Sequence, residues 1–231
     1  PSADMTIPAE ILLPSERARM HLSQSLLSVV TLEQMRRLAP SWIAAFTSAL
    51  SKSLRSTTHA RLILALKSKR APPGEKMLAP NMALLMKGPA GKGQSEIHIF
   101  LTHFHWDHLL GLPFFAPLFV KGNRVHFYAV QPELEEMIRI KFRRPLFPVA
   151  FEQLMSQIQF HRLEPRKKMM INDMEITPYQ LDHPDPCCGF RIEAYGKSYA
   201  HCVDTEGTRT TREALGADLP LYLDADLMYF E

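Results

Sequence analysis

The sequence predicts an α/β fold that carries a metal site at a strand end, and three observations point to it. Ile97-His98-Ile99-Phe100-Leu101 has the length and the Ile/Phe content of a buried strand. Directly after it, His103, His105, Asp107 and His108 crowd three imidazoles and a carboxylate into six positions. Further on, strand-like and helix-like runs alternate as they do in an α/β chain.

The ligand cluster has a physical reading of its own. In extended chain the side chains alternate, so His103 and His105 share one side while Phe104 and Trp106 point the other way, into apolar packing. After Trp106 the spacing of Leu109, Leu110 and Leu112 turns the chain toward a helix, with Asp107 near its positive end. Imidazole and carboxylate are usual ligands of Zn²⁺ and related divalent ions. Two ligand pairs leaving one short segment in different directions suit two neighbouring ions. A surface histidine tract would explain neither the strand nor the aspartate.

The elements follow in order. Arg124–Val130 reads as a strand after the Gly122-Asn123 turn. The run from Pro132 to Ile140 reads as a helix, with proline near its start and acids in its first turn. Ile158–Leu163 is a strand, and Met174–Leu181 leads to the turn Asp182-His183-Pro184. Cys188–Glu193 and Lys197–Val203 alternate on either side of Gly196 and read as a hairpin ending in Asp204. His98, His126, His161 and His201 lie inside strands and are expected to be structural.

His103-x-His105-x-Asp107-His108 followed by Leu109-Leu110-Gly111-Leu112-Pro113 resembles the signature of the metallo-β-lactamase fold hydrolases. The resemblance implies an αββα sandwich with one or two metals at the edge between two sheets. The longer stretch from Ile97 to Phe119 is similar to the branch that hydrolyses phosphodiesters, which includes tRNA 3′-end processing nucleases and small cyclic-phosphate phosphodiesterases. By that likeness His103, His105 and His183 hold one ion, Asp107 and His108 the other, and Asp204 bridges them. Read without the family, His183 could be a solvated loop residue and Asp204 a turn cap.

The implied cofactors are two divalent ions, Zn first, with Mn or Fe as alternatives. Such ions lower the pKa of water toward ~7, and a pair ~3.5–4 Å apart can stabilise charge on a phosphoryl oxygen. Asp107 is the expected catalytic residue, orienting the nucleophile as well as binding metal. The implied substrate is a cyclic nucleotide, another small phosphodiester or RNA. A thiolester or lactam hydrolase on the same fold, or an inactive metal-binding fragment, is the alternative. His105 stands where a di-iron redox relative carries glutamate, which argues against that class.

Two departures from the family stand out. Its second metal gains a histidine near the C-terminus, but the last histidine here is His201. Its opening Asp-x-Gly element is missing, and the first glycine is Gly74. With Pro1 at the start and an abrupt end at Glu231, the chain reads as incomplete at both ends, with a hydrolase domain over 81–231.

Residues 1–80 form a separate, basic, Ser/Arg-rich segment. Within residues 1–70, ten Lys/Arg face four acids, a net of +6 in a chain of net +3. Leu22, Leu26, Leu27 and Val30, then Leu38, Trp42, Ile43, Phe46 and Leu50, have amphipathic helical spacing, with Pro40 between them. A helical extension, a targeting segment or foreign sequence from a wrong reading frame would each fit.

At 231 residues and 46% hydrophobic, the chain can bury one sizeable core beside that appendage. No apolar run approaches the ~20 residues that span a bilayer, so no membrane partner is expected. Cys187, Cys188 and Cys202, an odd number without disulfide spacing, suit a reducing compartment such as the cytoplasm. Cys187 and Cys188 lie near His183, yet packing is the preferred role for at least one of them. A homodimer is compatible with all of this.

Overall fold

A computed structural model describes residues 59–64, as backbone, and 85–230. The helices read from residues 22–50 lie outside the described residues. Within the segment 1–80 the described part is a strand, β1 (His59–Leu64), where the sequence reading expected helix or foreign sequence. The described residues divide into two compact units, one ending at Leu163 and one beginning at Glu164. That boundary falls inside the stretch 81–231 that the sequence presents as one domain.

The first unit is built on a parallel sheet. Its order is β1, β2 (Ser95–Phe100), β3 (Arg124–Ala129) and β4 (Gln157–Arg162). Parallel pairing needs crossovers, and between β3 and β4 the chain makes one with helix α2 (Leu134–Lys141), close to the helix read from the sequence. The shorter helix α1 (Trp106–Leu109) lies between β2 and β3. In register, Ile97 pairs with Val125 and Val125 with Ile158, while Ile99 pairs with Phe127 and Phe127 with Phe160. These side chains pack with Leu109, Leu118, Leu134, Ile138 and Phe142 into one core.

Alternate residues on these strands carry a different chemistry. His98 stacks on His126 at 4.8 Å, and His98 Nδ1 lies 2.9 Å from the Tyr128 hydroxyl. His126 bridges His161 and Glu96, at 3.0 Å each, and Glu96 also accepts from Arg124. The strand histidines therefore bond to one another and to neighbours, in keeping with the structural role expected of them. The turn entering β3 is held by Asn123, buried completely. Its Oδ1 accepts from Ser95 N, and its Nδ2 donates to the carbonyls of Ala90 and Pro117. Gly93 and Gly122 meet backbone to backbone beside it, where a Cβ on Gly122 would sit 2.6 Å from the Gly93 carbonyl.

The second unit is a mostly antiparallel sheet in the order β5 (Met169–Ile171), β6 (Met174–Gln180), β7 (Cys188–Ala194), β8 (Lys197–Cys202) and β9 (Leu227–Phe230). β7 and β8 form the expected hairpin. Tyr195 and Gly196 both have positive φ, as a tight two-residue hairpin turn demands. β9 runs parallel to β8. Leu181, Cys187, Ala200, Cys202, Leu221 and Ala225 pack together at the end of this sheet where the loops after β6 and β8 emerge. A Cβ on Gly189 would lie 2.7 Å from the His201 carbonyl, so this close strand approach requires glycine.

Candidate metal centre

The first group of donors leaves the end of β2. Strand-like bonding continues one residue past it, with Leu101 N donating to the Tyr128 carbonyl at 2.9 Å. Gln131 Nε2 then donates to the Thr102 carbonyl at 3.0 Å and holds the segment where the donors begin. His103 is buried and His105 exposed. Their ring centroids are 4.5 Å apart, and a donor atom of each lies within 4.8 Å of the other. His105 keeps an extended backbone and caps α1, so the two imidazoles share a side as the alternation predicts.

The alternation stops there, and one expectation fails with it. Phe104 packs against the core, but Trp106 begins α1 and is 58% exposed, with Lys141 Nζ 3.4 Å from the centroid of its ring. The helical backbone swings the indole outward, away from the apolar packing assigned to it. Burial holds the Lys141 ammonium below the usual lysine range.

Asp107 and His108 follow on the same turn. His108 is buried, its Nε2 is 3.7 Å from Asp107 Oδ2, and its ring centroid is 4.2 Å from that of His103. Thr102 Oγ1 lies 3.1 Å from His103 Nδ1. In the tautomer that donates from Nδ1 to this hydroxyl, Nε2 carries the lone pair a metal requires.

The second group belongs to the antiparallel unit. His183 lies in the loop after β6, and Asp204 follows β8 with a left-handed backbone, φ 56°. A donor atom of one lies within 4.8 Å of a donor atom of the other. His183 Nδ1 lies 2.8 Å from the Asp185 carbonyl and 3.1 Å from the Asp185 N–H. In the tautomer that donates from Nδ1 to that carbonyl, Nε2 carries the lone pair.

Two aspartates that the sequence reading passed over hold this pair of loops. The Asp182 carboxylate accepts from Thr208 N, from the Thr208 hydroxyl and from Arg209 N, while its carbonyl accepts from Glu206 N at 2.6 Å. Its carboxyl is held below the usual range, chiefly by the Thr208 hydroxyl. Asp218, almost fully buried, accepts from Arg166 Nε and Nη2, Arg209 Nη1 and Gln180 N. Arg209 thus ties the loop after β8 to both aspartates. The Asp182-His183 pair was visible in the sequence, but its partners lie too far along the chain to suggest the clamp.

The cysteines are not part of either donor group among the described residues. All three are buried, and burial pushes the Cys188 thiol up to about 12. Cys187 Sγ contacts the Val203 carbonyl at 3.8 Å, a packing position.

With this geometry in view, the comparisons with known proteins define the class. Residues 73–228 match the model of the Beta-lactamase superfamily domain. The chain belongs to that family and has the metallo-β-lactamase fold. Among curated proteins it is similar to Ribonuclease Z of Staphylococcus carnosus, 29% identical over 108 residues, covering 42% of this chain and 31% of the relative. Ribonuclease Z of Bacteroides thetaiotaomicron is 32% identical over 101 residues, covering 42% and 30%. The chain spans under a third of the length of these relatives. Among solved structures, the short form of human tRNase Z is 18% identical with a TM-score of 0.46, covering 73% of this chain and 66% of that one.

The donor set fits divalent ions. Imidazoles with one nitrogen engaged by a hydroxyl or backbone group, next to carboxylates, are the ligands and outer partners such ions use. No helix among the described residues is long and apolar enough to cross a membrane.

Proposed function

We propose that this chain carries the metal-binding part of a dinuclear phosphodiesterase. As the family likeness implies, His103, His105 and His183 would hold one ion and Asp107 and His108 the other, with Asp204 shared. The observation that carries the reading is the contiguous donor cluster at the end of β2, with the His103 ring 4.5 Å from that of His105 and 4.2 Å from that of His108, in a chain of this family. Relatives named Ribonuclease Z support a phosphodiester in RNA as the substrate class, with a small phosphodiester as the simpler form of the same chemistry.

Bound divalent ions, Zn first and Mn or Fe next, would supply Lewis acidity and hydroxide at neutral pH. The protein's part is orientation. The Thr102 hydroxyl and the Asp185 carbonyl offer acceptors to Nδ1 of His103 and His183, and the tautomers that use them leave Nε2 for an ion. Asp107, half-exposed beside buried His108, is placed to accept a proton from an attacking water and to orient it. The Asp182 clamp keeps the His183 and Asp204 loops in one arrangement. Three buried free thiols fit a reducing compartment such as the cytoplasm.

Metal analysis with turnover of a bis-aryl phosphodiester tests the proposal. About two equivalents of Zn, Mn or Fe with hydrolysis are expected, and Asp107→Ala should lower turnover by about 10²–10⁴-fold while preserving the circular dichroism spectrum. Equal turnover in wild type and Asp107→Ala would sink it.

A further inference from the structure

Building on the phosphodiesterase reading, we infer that the surface around Trp106 is a docking platform for a single-stranded polynucleotide, with bases on Trp106 and Phe114 and phosphates on Arg143 and Arg144. Trp106, Leu110, Phe114 and Leu146 are each about half-exposed or more, large apolar side chains left in water. Trp106 stands between the proposed ligands His105 and Asp107, so a chain stacked on it is delivered beside them.

The aromatic groups are tied to the same end of α2. Phe114 meets Phe147 edge to face at 5.6 Å, and Phe147 meets buried Phe142 at 5.6 Å. Phe142 directly follows Lys141, whose ammonium lies over the Trp106 ring. Both aromatic stations are therefore anchored to the end of α2, and Arg143 and Arg144 continue from it, exposed.

Charge identifies the occupant. Arg139 is committed to Glu135 and Glu152, at 2.8 Å each. Neither Arg143 nor Arg144 forms an ion pair among the described residues, and Arg144 Nη2 only approaches the Pro148 carbonyl at 3.4 Å. Exposed aromatic side chains near exposed cations complement a ligand that alternates planar rings with anions, as a polynucleotide does. A protein partner would need matching acids at the same spacing.

The chain has two tryptophans, Trp42 and Trp106, so a Trp42→Phe background makes Trp106 the fluorescent reporter. The metal-free full chain would be titrated with oligo(U) and with oligo(dT) of about ten nucleotides, a length within the usual single-strand site size. Saturable quenching by either is expected, and quenching by oligo(U) alone would add the 2′-hydroxyl to the recognised features. Anisotropy of labelled oligonucleotide, which needs no tryptophan, should show about tenfold weaker binding for Trp106→Ala and recovery for Trp106→Phe. Arg143→Ala with Arg144→Ala should flatten the slope of log affinity against log salt by ~1.4.

Absence of binding to both strands would overturn the inference, as would equal binding by wild type and Trp106→Ala. A concentration-dependent dimer that Trp106→Ala abolishes, without oligonucleotide binding, would reassign the surface to a second copy of the chain. Hydrolysis of a bis-aryl ester by holoenzyme that fails to bind either strand counts against this inference alone. Strand binding without hydrolysis by the metal-loaded protein counts against the phosphodiesterase reading alone.

Discussion

In the parallel-sheet unit, four donors leave a single strand end within six positions, held by the fold of that short segment. In the antiparallel unit the two donors, His183 and Asp204, come from separate loops that Asp182 and Asp218 help to fasten. The contrast separates two ways to position a ligand. A contiguous cluster inherits rigidity from the strand and core beneath it, where Leu101 and Leu109 are buried. A cluster built from loops borrows rigidity from buried ion pairs elsewhere in the chain, and it should fail by a different route.

Mutations can break that contrast in order of expected effect. The largest is Asp107→Ala, which should remove turnover while leaving unfolding by urea unchanged, because the half-exposed side chain has little packing to lose. Next, Asp182→Ala should weaken Zn²⁺ binding about 10–100-fold in calorimetric titration although Asp182 is not itself a proposed ligand. Wild-type affinity in that variant would show that the loops need no clamp.

Asp218→Asn is expected to cost about 2–3 kcal/mol of stability, since it leaves Arg166 and Arg209 facing a neutral group at a buried site. A midpoint in urea within error of wild type would remove Asp218 from the scaffold.

A smaller effect belongs to the first unit. Burial, and then the neighbouring His126, holds His98 down to about 4 from an ordinary 6.5. The unfolded chain takes up this proton near 6.5 and the folded chain only near 4. Stability is therefore fully present above about pH 6.5 and declines as pH falls toward 4. We expect a loss of about 1–2 kcal/mol from this group between pH 7 and 5, and His98→Gln should flatten that part of the urea-midpoint profile. Smallest of all, Cys187→Ala should cost about 1 kcal/mol and leave metal content unchanged. Loss of metal in that variant would return the thiol to the ligand set.

The same contrast explains what could be read in advance. The β2 strand, the face shared by His103 and His105, the α2 helix and the Tyr195-Gly196 hairpin all rest on neighbours in sequence, and the structure has them within a residue or two of the expected positions. His183 and Asp204 are named only through a family resemblance, because nothing local distinguishes them from other loop acids and histidines. Trp106 was misplaced because a strand alternation was extended one residue too far, into the first turn of α1. Asp182 and Asp218 were missed altogether. Carboxylates whose partners lie 9 to 52 residues away leave no periodic trace.

The left-handed backbone at Asp204 bears on how this position can change over time. At φ 56° a short polar side chain or glycine sits comfortably, and most others do not. Asparagine would keep the turn and discard the charge, so a descendant that had lost its chemistry could still fold, express and look intact. Alanine would disturb conformation and charge together and confuse one with the other. The informative exchange at this position is Asp204→Asn, and a silent pseudo-enzyme could arise there from a single neutral-looking step.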